Sequence, residues 1–351
     1  MNVTSPLTDI HIDEQSEIPK YVQIAESIIK SITRGTLKVG QKIPSINEVC
    51  YEFYLSRDTV GKAYNLLKKK KIIISVPGKG YYTTRTDLIS RVNILFMVNK
   101  PSSYKLQIYN AFVNAVGVNA HVNLSVYHCE EYLFVKTLEK NMGMYDYYVI
   151  MPHFRNKDLR YAGHMREALK MMEKIPKHKL LLLDNGKSEI SGNYASVYQD
   201  FENDIIQALT EGLERLQNYD RLLLVYPAKA VHPYPSRILH GFRKFCLMHS
   251  FDFEVLDQVS DEMEPQSGDV YITIEENDLV NLVKQVREQG LTPGKDMGII
   301  SYNDTPLKEL LGITVISTDF KKMGETAAEM ILNNTGEHIK NTFRFLNRGS
   351  V

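Results

Sequence analysis

The 351-residue chain predicts an α/β protein in two parts: an N-terminal winged helix-turn-helix, then a two-lobed body built on parallel sheets. Three observations carry this expectation. Residues 44 to 85 run as capped helix, turn, second helix and glycine-tipped hairpin, the order of a module that reads DNA. From residue 92 onward, strand-length apolar runs alternate with helical periodicity. Charge is also unevenly divided. Lys20 to Arg85 holds 13 basic residues against four acidic ones, a net of +9, and the remainder holds 29 against 38, a net of −9. A basic module joined to an acidic body points to a polyanionic partner for the module alone.

Within the module, Tyr21, Ile24, Ala25, Ile28, Ile29 and Ile32 recur at helical spacing, so residues 20–34 form an amphipathic helix, with Gly35 where a C-terminal cap would lie. Ser45 and Glu48 make a Ser-x-x-Glu capping box that opens a second helix, whose inward residues are Ile46, Val49, Cys50 and Phe53. Ser56 caps a third helix with Val60, Ala63, Tyr64 and Leu67 as its buried stripe. That stripe decides which residues can meet DNA. Arg57, Asp58, Thr59, Gly61 and Lys62 lie off it, in the first turns, where a recognition helix enters the major groove. Arg57 suits guanine or phosphate, Ser45, Asn47 and Thr59 suit phosphate oxygens, and Asn47 also suits adenine. Ser45 and Ser56 can be caps, phosphate donors, or both. Lys68 to Lys71 complement the dipole of the third helix or, alternatively, meet DNA. Residues 72–76, the tip Pro77-Gly78-Lys79-Gly80, and residues 81–84 read as a hairpin whose Gly78, Lys79 and Gly80 can approach the minor groove or backbone.

From Pro19 to Tyr82 the module resembles the GntR family of bacterial transcription regulators. The resemblance rests on Pro19, Tyr21, Gln23 and Ile24, the step from Gly40 to Pro44-Ser45, the turn Ser56 to Val60, and the Gly-x-Gly wing. Two departures stand out: Asn47 replaces the arginine that usually contacts DNA, and Gly61 stands where some members place a basic residue.

Composition limits the alternatives. Hydrophobic content of 43% and charged content of 24% are those of ordinary globular proteins, and the length suggests two or three domains. No run of about 18 apolar residues occurs, and residues 1–17 lack a signal-peptide pattern. Cys50, Cys129 and Cys246 fit neither a disulfide framework nor a metal cluster, and they suit a reducing cytoplasm. No catalytic or phosphate-loop motif is present, so neither an enzyme, a cofactor nor a metal is expected. The expected boundaries are 1–85 for the DNA-binding module, 86–91 for a linker and 92–351 for the body.

Strand-like runs in the body are 92–98, 122–128, 145–151, 179–183, 222–226, 253–256, 270–274, 297–301 and 314–317. Helix-like runs include 105–118, 160–173, 202–216, 238–249, 279–289 and 323–332. Residues 298–307 and 316–331 resemble the effector domain of lac-repressor-type regulators, which is similar to periplasmic sugar-binding proteins. The two resemblances together imply a sugar-responsive repressor or activator; a repressor acting as a homodimer on a two-fold operator is the expectation. The second resemblance also implies that Asn303 and Asp304, with Glu275 and Glu276, line the pocket, since such groups accept hydrogen bonds from sugar hydroxyls. Arg237 stands one residue out of register with the family's arginine. Position alone adds Ser102, Ser103 and Tyr104 after the first strand, and His153 and Phe154 after the third, with Tyr104 or Phe154 able to stack on a sugar face. Few lysines are expected in this pocket, which argues against a phosphorylated ligand. The other reading is a body that serves only assembly, with no working pocket.

Overall fold

The structure is a computed structural model that describes residues 10–13, 18–33, 36–84, 92–163, 165–184, 189–228 and 230–351. Gly35 and the expected linker, 86–91, lie outside the described residues. The chain groups into two compact units. One comprises Met1–Leu95, Gly117–Asn123 and Lys140–Tyr147, and the other comprises Phe96–Val116, Leu124–Glu139 and Tyr148–Val351.

The N-terminal module contains α1 (Lys20–Thr33), β1 (Lys42–Ile43), α2 (Ile46–Glu52), α3 (Arg57–Lys69), β2 (Ile73–Val76) and β3 (Gly80–Thr83). The apolar stripes meet as their periodicity requires: Ile24, Ile28 and Ile32 of α1 and Val60, Ala63, Tyr64 and Leu67 of α3 share one buried core with Val49 of α2. The Tyr64 hydroxyl donates to the Pro44 carbonyl at 2.5 Å, which fixes α3 against the start of α2. The hairpin forms with Val76 opposite Gly80. β1 makes it three-stranded by pairing Lys42 with Tyr82 and Ile43 with Tyr81, a two-residue strand too short to leave a periodic signal.

The body begins with β4 (Val92–Val98), α4 (Ser103–Val116), β5 (Ala120–Val126), α5 (Glu131–Asn141) and β6 (Tyr147–Ile150). A small antiparallel pair, β7 (Phe154–Arg155) and β8 (Tyr161–Ala162), precedes α6 (Arg166–Glu173), β9 (Leu180–Leu183) and β10 (Ala195–Tyr198). Then come α7 (Phe201–Glu211), α8 (Leu213–Leu216), β11 (Arg221–Val225), α9 (Ser236–His249), β12 (Asp252–Leu256) and β13 (Asp269–Thr273). The chain ends with α10 (Glu276–Glu288), β14 (Gly298–Tyr302), α11 (Pro306–Leu310), β15 (Thr314–Thr318), α12 (Phe320–Asn333), β16 (His338–Lys340) and β17 (Phe343–Leu346).

These strands form two six-stranded sheets, ordered β16-β10-β9-β6-β4-β5 and β12-β11-β13-β14-β15-β17. β9 pairs in parallel with β6 and β10, and β11 through β15 are parallel throughout; β17 closes its sheet antiparallel to β15. β9, β13, β14 and β15 are buried along their whole length, as sheets covered on both faces require. The chain passes between the sheets three times: from β10 to β11, from β15 through α12 to β16, and from β16 to β17. Gly324 lets α12 lie against α4, because a Cβ there would come within 2.3 Å of the Ile108 carbonyl oxygen.

Two expected helices change. The run 160–173 starts its helix only at Arg166, because Tyr161 and Ala162 pair instead with Arg155 and Phe154. The run 202–216 breaks at Gly212, where the Phe345 ring occupies the space a Cβ would need, at 2.6 Å.

Candidate nucleic-acid interface and ligand cleft

Ser45 and Ser56 both act as caps. The Ser45 N–H donates to Glu48 Oε2 at 2.5 Å and the Glu48 N–H returns to Ser45 Oγ at 3.2 Å, which holds the Glu48 carboxyl below its ordinary pKa. The Thr59 N–H donates to Ser56 Oγ at 3.2 Å, and the Ser56 and Thr59 hydroxyls are 2.9 Å apart. Asn47, Arg57, Asp58 and Lys62 are exposed around these caps. Lys62 and Asp58 pair at 2.7 Å along α3, a solvated i,i+4 contact that strong phosphate fields can open. At the wing tip Gly78 and Gly80 have φ of +71° and +107°, conformations that favour glycine, and they leave Lys79 exposed between them. Asn47, Arg57, Lys62 and Lys79 are therefore open to a partner, and Ser45, Ser56 and Thr59 frame the two helix starts.

In the body, a cavity of about 40 Å³ opens at the carboxyl ends of both sets of strands, where open α/β sheets hold ligands. Its floor is one hydrogen-bonded cluster. Asp184, just after β9, accepts from Lys105 Nζ at 3.3 Å and from His153 Nε2 at 3.0 Å on one oxygen, and from Gln199 Nε2 on the other. His153 Nδ1 lies 2.8 Å from the Tyr161 hydroxyl. Burial alone would raise the Asp184 carboxyl, but Lys105, His153 and Gln199 outweigh it and hold the group well below the ordinary range. Burial, reinforced by Lys105, lowers the pKa of His153, so at neutral pH the ring is uncharged. Its Nε2 then donates to Asp184 and its Nδ1 accepts from Tyr161.

Among the described residues, three polar atoms on the same cavity wall have no protein partner: Asn99 Oδ1, Gln199 Oε1 and the Tyr302 hydroxyl. Their residues are each less than 5% exposed. Buried polar groups are almost always paired, so three around one cavity mark a place shaped for a polar ligand. Tyr104, Tyr234 and Phe320 supply the apolar side, with the Tyr104 and Phe320 rings 5.0 Å apart.

The expected pocket residues divide. Tyr104, His153 and Asn303 line the cavity, and Ser102, Ser103, Glu275 and Glu276 line its continuation past Lys100. Phe154 does not: its ring is fully buried against Tyr127 and Phe134, so it packs the lobe and cannot stack on a ligand. Arg237 is bound to Asp200 at 2.8 Å, beside the cavity and not in its wall. Asp304 is held by Arg348 through two contacts of 2.7 Å, and the cap of α11 is Thr305. Asn303 has φ of +65°, so it also makes the turn after β14. Lys105, Asp184, Gln199, Asn99, Tyr161 and Tyr302 were missed. Asp184 and Gln199 sit at strand ends, a signal that was available; Lys105 lay inside an apolar helical run.

The expectation of few lysines also fails. Lys100, Lys105 and Lys308 all reach this cleft. Burial lowers both Lys100 and Lys308 to about 8. Lys308 Nζ donates to the Tyr302 and Asn303 carbonyls at 3.0 and 2.9 Å, and Lys100 Nζ stands 4.7 Å over the Tyr234 ring.

Residues 20–82 match the family model described as bacterial regulatory proteins, gntR family. These residues are a gntR-type DNA-binding domain. Over 73 residues the chain is 36% identical to the HTH-type transcriptional repressor YtrA of Bacillus subtilis (strain 168), covering 21% of this chain and 56% of that one. Over 72 residues it is 33% identical to the arabinose metabolism transcriptional repressor of Geobacillus stearothermophilus, covering 20% of each. The matched segment thus spans between a fifth and just over half of these relatives. The fold is similar to that of the Lac repressor bound to ONPG in its repressed state, with a TM-score of 0.58 at 16% identity over 84% of this chain and 90% of that one. It is also similar to a LacI-family regulatory protein from Chloroflexus aggregans, with a TM-score of 0.55 at 17% identity over 74% and 98%. The likeness establishes the two-lobed fold of the body.

Proposed function

We propose that this protein is a cytoplasmic transcription repressor that binds a two-fold operator as a homodimer and releases it when a monosaccharide enters the cleft of residues 92–351. The observation that carries the ligand half is the set of groups on Asn99, Gln199 and Tyr302 in one cavity wall that have no partner among the described residues. Two amide oxygens are acceptors, and a sugar presents hydroxyl donors at that density. The aromatic side of Tyr104, Tyr234 and Phe320 suits the apolar face of a pyranose ring. The DNA half is supported by the gntR-type domain and by the exposure of Asn47, Arg57, Lys62 and Lys79 around its helix starts and wing. Sugar binding changes operator affinity only if it favours one lobe arrangement, and the three chain crossings are where such a change would bend.

The test is thermal unfolding of the full chain against pentoses, hexoses and deoxyhexoses. A ligand at 100 times its dissociation constant adds about 2.7 kcal/mol. One clear stabiliser that also weakens binding to promoter DNA is the expected result. No shift with any sugar would return the body to an assembly role.

A further inference from the structure

Tyr54 has no structural reason to be a tyrosine. It follows α2 with φ of +50°, in the left-handed region where a side chain with a Cβ is strained and Gly or Asn is favoured. Nor does packing offset that strain, because Tyr54 is 95% exposed. Three residues earlier, Tyr51 on α2 is 85% exposed. Asn47 and Tyr51, four residues apart, share one side of α2, and Tyr54 follows its C-cap, Phe53. Two exposed aromatic rings are therefore carried beside the start of the DNA-reading helix at the expense of a relaxed turn. Tyr54 lies two residues before Ser56, the cap of α3, and three before Arg57.

We propose that Tyr54, with Tyr51, is an additional DNA-backbone contact that flanks the recognition helix and positions it on the duplex. This rests on the DNA-binding reading above. The occupant is a polyanion because the surrounding module is strongly basic, with the +9 net charge of Lys20 to Arg85. A phenol hydroxyl donates to a phosphate oxygen and holds register without reading a base. Backbone strain kept at an exposed residue is expected where function, and not folding, selects the side chain. At 95% exposure the Tyr54 ring and hydroxyl are free to meet a partner, with a reach that Gly or Asn lacks.

The test uses the full chain and a double-stranded fragment from upstream of its own gene, at fixed salt. Tyr54→Asn is expected to raise the melting temperature by a few degrees, since Asn relieves the left-handed strain, while weakening DNA binding at least fivefold. Tyr51→Ala is expected to leave melting unchanged and to weaken binding two- to fivefold. Binding of Tyr54→Asn equal to wild type would overturn the proposal, and lost repression in cells with intact DNA affinity would overturn it in favour of a protein partner. If the wild-type chain itself fails to bind the fragment, the DNA-binding reading falls with it, so the two failures are separable.

Discussion

Replacing Asp184 by Asn tests the cluster at the base of the cleft. The carboxylate receives three donors: Lys105 Nζ at 3.3 Å, His153 Nε2 at 3.0 Å and Gln199 Nε2. An amide keeps the shape but loses the charge, and its nitrogen must face at least one of those donors. Lys105 is only 3% exposed, and its ammonium also meets the Met151 sulfur at 3.5 Å and the Tyr104 ring at 5.6 Å. Removing one partner of a buried pair costs about 3–5 kcal/mol, because the remaining charge is left without compensation. At about 2–4 °C per kcal/mol for a body of this size, the melting temperature should fall by roughly 6–20 °C. Calorimetry or circular dichroism at neutral pH reads this directly. The double variant Lys105→Met with Asp184→Asn removes both charges, so it should be less destabilised than the sum of the two single variants. A drop of less than about 2 °C for Asp184→Asn, or strict additivity in the double variant, would refute the claim that this pair is a desolvated, mutually dependent unit.

Three further outcomes follow from the same geometry. His153 stays neutral in the fold while the unfolded chain takes up a proton near pH 6.5, so its contribution is present above that value and is lost as pH falls. The stability advantage of wild type over His153→Gln, from urea midpoints, should therefore shrink as pH falls from 7.5 to 5.5. Arg57→Ala should weaken binding to promoter DNA by about 1–3 kcal/mol if it reads a guanine, and mobility-shift titration checks it. Asn303→Gly keeps the left-handed turn at φ +65° while removing the amide, so it should abolish sugar stabilisation with little change in melting; loss of fold instead would make Asn303 a structural residue.

The module was legible because its signals are local. Capping boxes, an apolar stripe of Val60, Ala63, Tyr64 and Leu67, and a glycine-tipped hairpin each declare themselves within a few residues. The parallel strands were equally plain, because strands buried on both faces read as unbroken apolar runs. The cleft was only half legible. Asn303 and Tyr104 follow strand ends, as the rule for open sheets predicts. Lys105 sits in the first turn of α4, where an amphipathic reading assigns a lysine to solvent, yet Asp184 draws it inward from 79 residues away. Phe154 failed for the converse reason: its position after a strand was right, but Tyr127 and Phe134 had already claimed the ring. Pairings of this separation leave no periodic trace.

The charges of the cleft bear on what enters it. Lys100, Lys105 and Lys308 face Asp184, Glu275 and Glu276, with His153 uncharged, so the wall as a whole is balanced. Most of these charges are already committed. Lys105 holds Asp184, Lys308 holds two backbone carbonyls, and Lys100 lies over Tyr234. The unused hydrogen-bonding capacity belongs instead to neutral groups, the amide oxygens of Asn99 and Gln199 and the hydroxyl of Tyr302. A ligand recognised by its charge would leave those three unsatisfied and compete with an established ion pair. A neutral polyol would satisfy them and leave the ion pair intact.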